Sequence, residues 1–185
     1  HDAVLRIYRC HDIDILQVVM PSTTDLDHFS VSRSTLWNID FQRPLNPRGR
    51  KDILRIVHAL QSMDIPLKQV ISSPALRALT TAQSIVEGLK PKPPLLQADE
   101  RLYHADPTTL NTVLVEHGTS ESVLVVGHNP GLEEWIEWLC GAIIKLPPAG
   151  LAALDLGISK WSKLDNRKGE LQWFINPKLL KKMTQ

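Results

Sequence analysis

The clearest hydrophobic pattern in the chain is the unbroken apolar run Val123-Leu124-Val125-Val126, which stops sharply at Gly127-His128-Asn129-Pro130-Gly131. Such a run, mostly β-branched, predicts a strand buried on both faces, as in a parallel sheet. Val70-Ile71-Ser72-Ser73-Pro74 repeats the design on a smaller scale, with apolar residues giving way to serines and a proline. Between such strands the pattern changes period. Ile53, Ile56, Val57, Leu60 and Met63 recur at helical spacing behind Asn46-Pro47, a cap followed by a first helical proline, and predict a helix to about Ser62. A second helix is expected from Pro74 to about Leu89. A third starts at Asp106-Pro107 and runs to about His117, and a fourth carries Trp135, Trp138 and Leu139 on one core-facing side.

The remaining segments read more simply. Lys90-Pro91-Lys92-Pro93-Pro94 is an irregular connector, and Leu95 to Ala98 is a short strand. Gly150 to Leu156 and Glu170 to Ile175 are two strands of a hairpin linked through Asp165-Asn166-Arg167-Lys168-Gly169. Lys178 to Lys182 forms a solvated basic tail. Near the start, Val4 to Tyr8 and Ile15 to Met20 are both strand candidates, and residues 21–40 form a long loop anchored by Trp37. The alternation predicts a single α/β domain over 1–185: a three-layer α/β/α sandwich with a mostly parallel sheet, an antiparallel edge and a C-terminal hairpin. Within it, 1–42 is a divergent start, 43–177 the core and 178–185 the tail.

Composition narrows the function classes. A net charge of +1 over 185 residues gives no reason to expect nucleic acid or an anionic membrane as partner. Cys10 and Cys140 form no Cys-x-x-Cys pair, which fits a reducing compartment. With no apolar run of membrane-spanning length and no signal-peptide pattern, the expected location is cytoplasmic.

The chemistry concentrates at the two strand ends. His128 falls where a strand hands over to a helix, at the carboxyl edge where open α/β sheets bind ligands. Arg77 falls in the first turn of the helix after Ser73-Pro74, with Ser73 as its expected cap. A helix start already favours anions, and a guanidinium strengthens that preference. If the strands are neighbours, Arg77 and His128 face one pocket. Without an acidic cluster beside them, they favour phosphate over a metal, so no metal and no cofactor is expected.

Four motifs carry a resemblance: Arg43-Pro44-Leu45-Asn46-Pro47-Arg48-Gly49, Ser72-Ser73-Pro74-Ala75-Leu76-Arg77-Ala78, Leu102-Tyr103-His104-Ala105-Asp106-Pro107 and Val126-Gly127-His128-Asn129-Pro130-Gly131-Leu132. In this order they resemble the SixA-type phosphohistidine phosphatases of the histidine phosphatase (phosphoglycerate-mutase-like) superfamily. The resemblance implies a metal-free hydrolase with a phosphohistidine intermediate, acting on a phosphorylated protein or a small phosphate ester. It assigns Arg77 and His128 to the phosphate pocket and suggests Tyr103 and His104 near it.

The family's first motif, an Arg-His-Gly-like tripeptide ending the first strand, has no Arg-His counterpart here. One alignment ends the first strand at Arg9-Cys10-His11, leaving His11, or a Cys10 thiolate beside Arg9, as nucleophile. The other ends it at Val19-Met20-Pro21-Ser22, removes the nucleophile and makes the domain a phosphate- or phosphoprotein-binding pseudophosphatase. The sequence leaves both open.

Overall fold

The structure, a computed structural model, describes residues 39–166 and 168–183 in full and the backbone of 14–20. Its strands are β1 (Asp14–Met20), β2 (Gln69–Ser72), β3 (Leu95–Ala98), β4 (Ser122–His128), β5 (Leu151–Asp155) and β6 (Glu170–Ile175). They form one six-stranded sheet in the order β3-β2-β4-β1-β5-β6. The strands β3, β2, β4 and β1 are mutually parallel, β5 runs antiparallel to β1, and β6 antiparallel to β5. The expected mostly parallel sheet with an antiparallel edge is therefore present.

The helices are α1 (Pro47–Ser62), α2 (Leu76–Gly88), α3 (Pro107–His117), α4 (Gly131–Cys140) and α5 (Pro177–Met183). Strand alternation sends β4 side chains to opposite faces. Leu124 and Val126 join Ile53, Ile56, Leu60, Ala78, Ala82 and Ile85 of α1 and α2. Val123 and Val125 join Leu110, Val113, Trp135, Ile136 and Leu139 of α3 and α4. Two cores on two sheet faces make the three-layer sandwich, and every β4 residue is buried.

Local chemistry sets most boundaries. Asn46 caps α1 by accepting from the Gly49 N–H at 2.7 Å, and Asp106 caps α3 by accepting from the Thr109 N–H at 2.8 Å. Trp135 is fully buried in the core, as its spacing predicts.

Three expectations are corrected. α2 begins at Leu76 with Ala75 as its cap residue, so Pro74 precedes the helix; the Ser73 hydroxyl is turned toward His128 instead. Pro130 is the cap residue of α4, which begins at Gly131. Gly127 lies inside β4, and an added Cβ there would meet the Leu132 side chain at 3.6 Å. The basic tail is helical, with Leu180 packed on the α1–α2 core. The paired strands β5 and β6 are joined by a longer link than a tight hairpin, containing a helical turn at Trp161–Lys163 that buries Trp161. Val4 to Tyr8 and most of the 21–40 loop lie outside the described residues.

Candidate active site

The parallel register brings the two strand ends together. Ser72 of β2 pairs with Val126 of β4, so Ser73 and His128 emerge side by side at the carboxyl edge. The His128 ring is buried, with Nε2 at 2.9 Å from Ser73 Oγ and Nδ1 at 3.4 Å from Arg77 Nη2. Arginine only donates, so the Nδ1 that faces it is the unprotonated nitrogen and Nε2–H donates to the serine. Ser73 Oγ also accepts from the Ala75 N–H at 3.3 Å. Its acceptor sites are thus engaged, which leaves its own proton to donate.

Arg77 is the second residue of α2 and only 1% exposed. Its guanidinium donates from Nη1 to the Asp40 carbonyl at 2.6 Å and from Nη2 to Asp40 Oδ2 at 2.8 Å. Among the described residues, Nε has no hydrogen-bond partner. Among the described residues no side chain caps α2, so the helix start also presents unclaimed N–H character toward this edge.

Asp40, in a helical turn over 39–41, is the hub that sequence reading missed. It accepts from Tyr103 Oη at 2.7 Å, lies 3.4 Å from Arg43 Nε and lies 3.6 Å from His104 Nε2. Burial by itself would raise its pKa. The Tyr103 hydrogen bond and the Arg77 charge outweigh burial and hold the carboxyl below its ordinary value. Tyr103 is pushed up to about 12, first by burial and then by its bond to Asp40, so its hydroxyl keeps its proton. His128 moves the other way, down to about 3, chiefly by burial and then by the nearby Arg77 charge. Its imidazole is neutral at physiological pH.

Tyr103 and His104 do reach the site. The His104 ring stacks on His128 at 5.1 Å and 30°, and the Tyr103 ring meets His128 edge-on at 5.4 Å. This placement requires His104 to adopt a left-handed backbone with φ of 51°. It also requires a glycine opposite: the Ala105 carbonyl sits where a Cβ of Gly131 would be, at 1.8 Å. The start of α4 therefore holds the Tyr103–Ala105 loop over His128.

The N-terminal candidates Arg9, Cys10 and His11 lie outside the described residues. The strand beside β4 is β1, and its last residue, Met20, is in register with His128. Asp14, where β1 starts, is in register with Ser122 at the opposite edge. Of the two alignments for the first strand, this is the one that ends at Met20-Pro21. Glu100 and Asp106, the carboxylic acids on either side of Tyr103–His104, are not bonded to Arg77, His128 or Ser73 among the described residues; Asp106 is spent on capping α3. No group of three or more His, Cys, Asp or Glu among the described residues is arranged to hold a metal ion.

Comparison with known proteins agrees with this geometry. The sequence model of the histidine phosphatase superfamily (branch 1) matches residues 34–106, a stretch containing Asp40, Arg77 and Tyr103. An uncharacterized protein of Picosynechococcus sp. is 28% identical over 152 residues, covering 76% of this chain and 87% of that protein. An uncharacterized chloroplastic protein of Arabidopsis thaliana is 26% identical over 143 residues, covering 72% of this chain and 66% of that protein. In fold, the chain is similar to the protein histidine phosphatase SixA complexed with tungstate: TM-score 0.67, 20% identity, 91% of this chain and 99% of that one. A chain assigned as the phosphohistidine phosphatase SixA of Nakamurella multipartitia gives a TM-score of 0.68 at 18% identity, over 89% of this chain and 96% of that one. Residues 34–106 are thus similar in sequence to the histidine phosphatase superfamily, and the chain as a whole has a SixA-like fold.

Proposed function

We propose that this chain is a metal-independent phosphatase that removes phosphoryl groups from proteins, phosphohistidine foremost, through a covalent phosphoenzyme. The observation that carries the reading is the convergence of Arg77, His128 and Ser73 beside the uncapped start of α2. These groups supply what a loose phosphoryl-transfer transition state needs, donors fixed in advance around three charged oxygens. The guanidinium and helix start carry the positive charge, and the Ser73 hydroxyl adds a neutral donor. Asp40 and Tyr103 keep Arg77 pointed into the pocket until an anion competes for it. An anion beside Arg77 also favours a second proton on His128, which then becomes a further donor.

In the transfer, an imidazole nitrogen of the enzyme forms a bond to phosphorus in line with the bond that breaks. The departing substrate imidazole takes up a proton; water then attacks phosphorus, breaks the enzyme N–P bond and releases phosphate. Imidazole leaves more readily than an alkoxide, so phosphohistidine places the least demand on a carboxylic acid donor. The attacking group in this reading is an imidazole of the pocket itself; His11 and Cys10, the alternatives offered by the sequence, precede β1, which starts at the opposite edge. A reducing compartment, the cytoplasm, suits the free thiol of Cys140.

A second reading has one specific observation in its favour: β1 ends at Met20, in register with His128, and Pro21-Ser22 follow in place of Arg-His. On that reading the pocket binds phosphate or a phosphoprotein without turnover. One experiment separates the two. A phosphohistidine peptide and an aryl phosphate are incubated with the protein in excess chelator, and acid-labile phosphoenzyme is trapped. Chelator-resistant phosphate release with a trapped intermediate is expected. Saturable phosphate binding with neither release nor intermediate would overturn the enzyme in favour of the binder.

A further inference from the structure

Away from the pocket, α1 and α5 enclose a groove of about 720 Å³ whose walls carry Arg48, Lys51, Arg55, Lys178, Lys181 and Lys182 against one acid, Asp52. Asp52 is already held between Arg48 at 3.5 Å and Arg55 at 2.6 Å. The groove lysines are exposed, and among the described residues none has an ion-pair partner. The chain as a whole carries only +1, so this is a local concentration of positive charge and not a general basic surface.

The groove opens on the active-site edge. β6 runs parallel to β1 through β5, and its last residue, Ile175, is level with Leu151, which pairs with Val18 of β1. α5 starts two residues later, at the edge that carries His128. α1 starts at Pro47, just after Arg43, which lies 3.4 Å from the Asp40 that binds Arg77. We infer that this groove docks an acidic stretch of polypeptide flanking the phosphorylated residue of the substrate. The inference rests on the reading of the pocket as a protein-phosphate site.

Two features favour a polypeptide over other polyanions. Among the described residues no aromatic side chain lines the groove, so bases find no stacking partner there. The cations line a concavity, whereas a bilayer presents a flat surface; the exposed Leu179 and Met183 of α5 are not part of the lining. Carboxylates along an extended chain can reach into such a groove and meet several cations at once.

The test uses a fluorescein-labelled peptide of six glutamates, read by anisotropy with the wild-type chain and with Lys51→Glu/Lys181→Glu/Lys182→Glu. Expected are about tenfold weaker binding to the variant and loss of binding to both at high salt. Equal affinities would overturn the inference. So would charge-reversal-sensitive binding of a thymidine oligonucleotide or of phosphatidylserine vesicles with no binding of the peptide. A milder Lys178→Gln/Lys181→Gln variant, matched to wild type in thermal unfolding, repeats the comparison should the triple variant fail to fold. Hydrolysis supplies the second readout. The variant should raise KM for a glutamate-flanked phosphopeptide while leaving aryl phosphate kcat/KM unchanged. Absence of aryl phosphate turnover in both proteins would sink the phosphatase reading alone, since peptide binding still decides the groove.

Discussion

Arg77 and the groove lysines carry the same charge on the same edge of the sheet, yet their surroundings are opposite. Arg77 is 1% exposed, bonded through both terminal nitrogens to Asp40 and set against a neutral buried histidine. The lysines between α1 and α5 stand in water. A buried, oriented cation acts in a low dielectric and is little screened; an exposed one gains little per contact and loses that in salt. The first environment suits chemistry on one phosphoryl group, the second suits attraction of an extended acidic partner.

The largest expected effect breaks the buried half of this contrast. Arg77→Ala removes the central donor and leaves the Asp40 carboxylate without its main partner. Turnover of phosphohistidine peptide should fall by about 100-fold or more, as for loss of one preorganised donor. Steady-state kinetics, with thermal unfolding to confirm folding, check this; an undiminished rate would detach Arg77 from the chemistry.

Next in size is a pH effect on stability. His128 titrates near 3 in the folded state and at 6.5 as an ordinary group, so between those values the unfolded chain binds the extra proton. Stability therefore falls as pH drops from 6.5 toward 3, by up to about 1.4 kcal/mol per unit. Asp40, its pKa lowered, adds stability above its ordinary value of 3.8 that is lost as pH falls below it. Denaturant midpoints across this range should show the slope in wild type and a shallower one in His128→Asn.

Gly131→Ala sharpens the comparison by moving the pocket without touching its charges. The new Cβ would collide with the Ala105 carbonyl, so the Tyr103–Ala105 loop must shift off His128. A destabilisation of about 1–3 kcal/mol, typical of overpacking, should accompany a lower rate. Smaller still is Tyr103→Phe, which deletes one hydrogen bond to Asp40 and should cost about 1 kcal/mol of stability. Its aryl phosphate rate should fall by less than that of Arg77→Ala, because Arg77 keeps both bonds to Asp40.

The fold was legible because its signals are local. The cap-proline pairs at Asn46 and Asp106, the apolar run at 123–126 and the helical spacing of Ile53 to Leu60 each act within one element. Arg77, Ser73 and His128 were legible for a related reason: each sits at a strand end, and the parallel register brings strand ends together. Asp40 was not, since its bonds to Arg77 and Tyr103 span 37 and 63 residues from a segment with no periodic pattern. The first strand stayed ambiguous because Val4 to Tyr8 and Ile15 to Met20 are equally apolar, and only pairing with β4 and β5 distinguishes a central strand. The start of α2 was misjudged because Ser73 has two competing uses, and the buried bond to His128 claims it.

The most direct test is to follow the His128 ring by NMR while inorganic phosphate is added. With phosphate held between Arg77 and His128, the ring resonances should move toward the protonated form and saturate, and Arg77→Ala should abolish the movement. A His128 ring that stays fixed while phosphate binds, or moves equally without Arg77, would contradict a shared grip on one phosphoryl group.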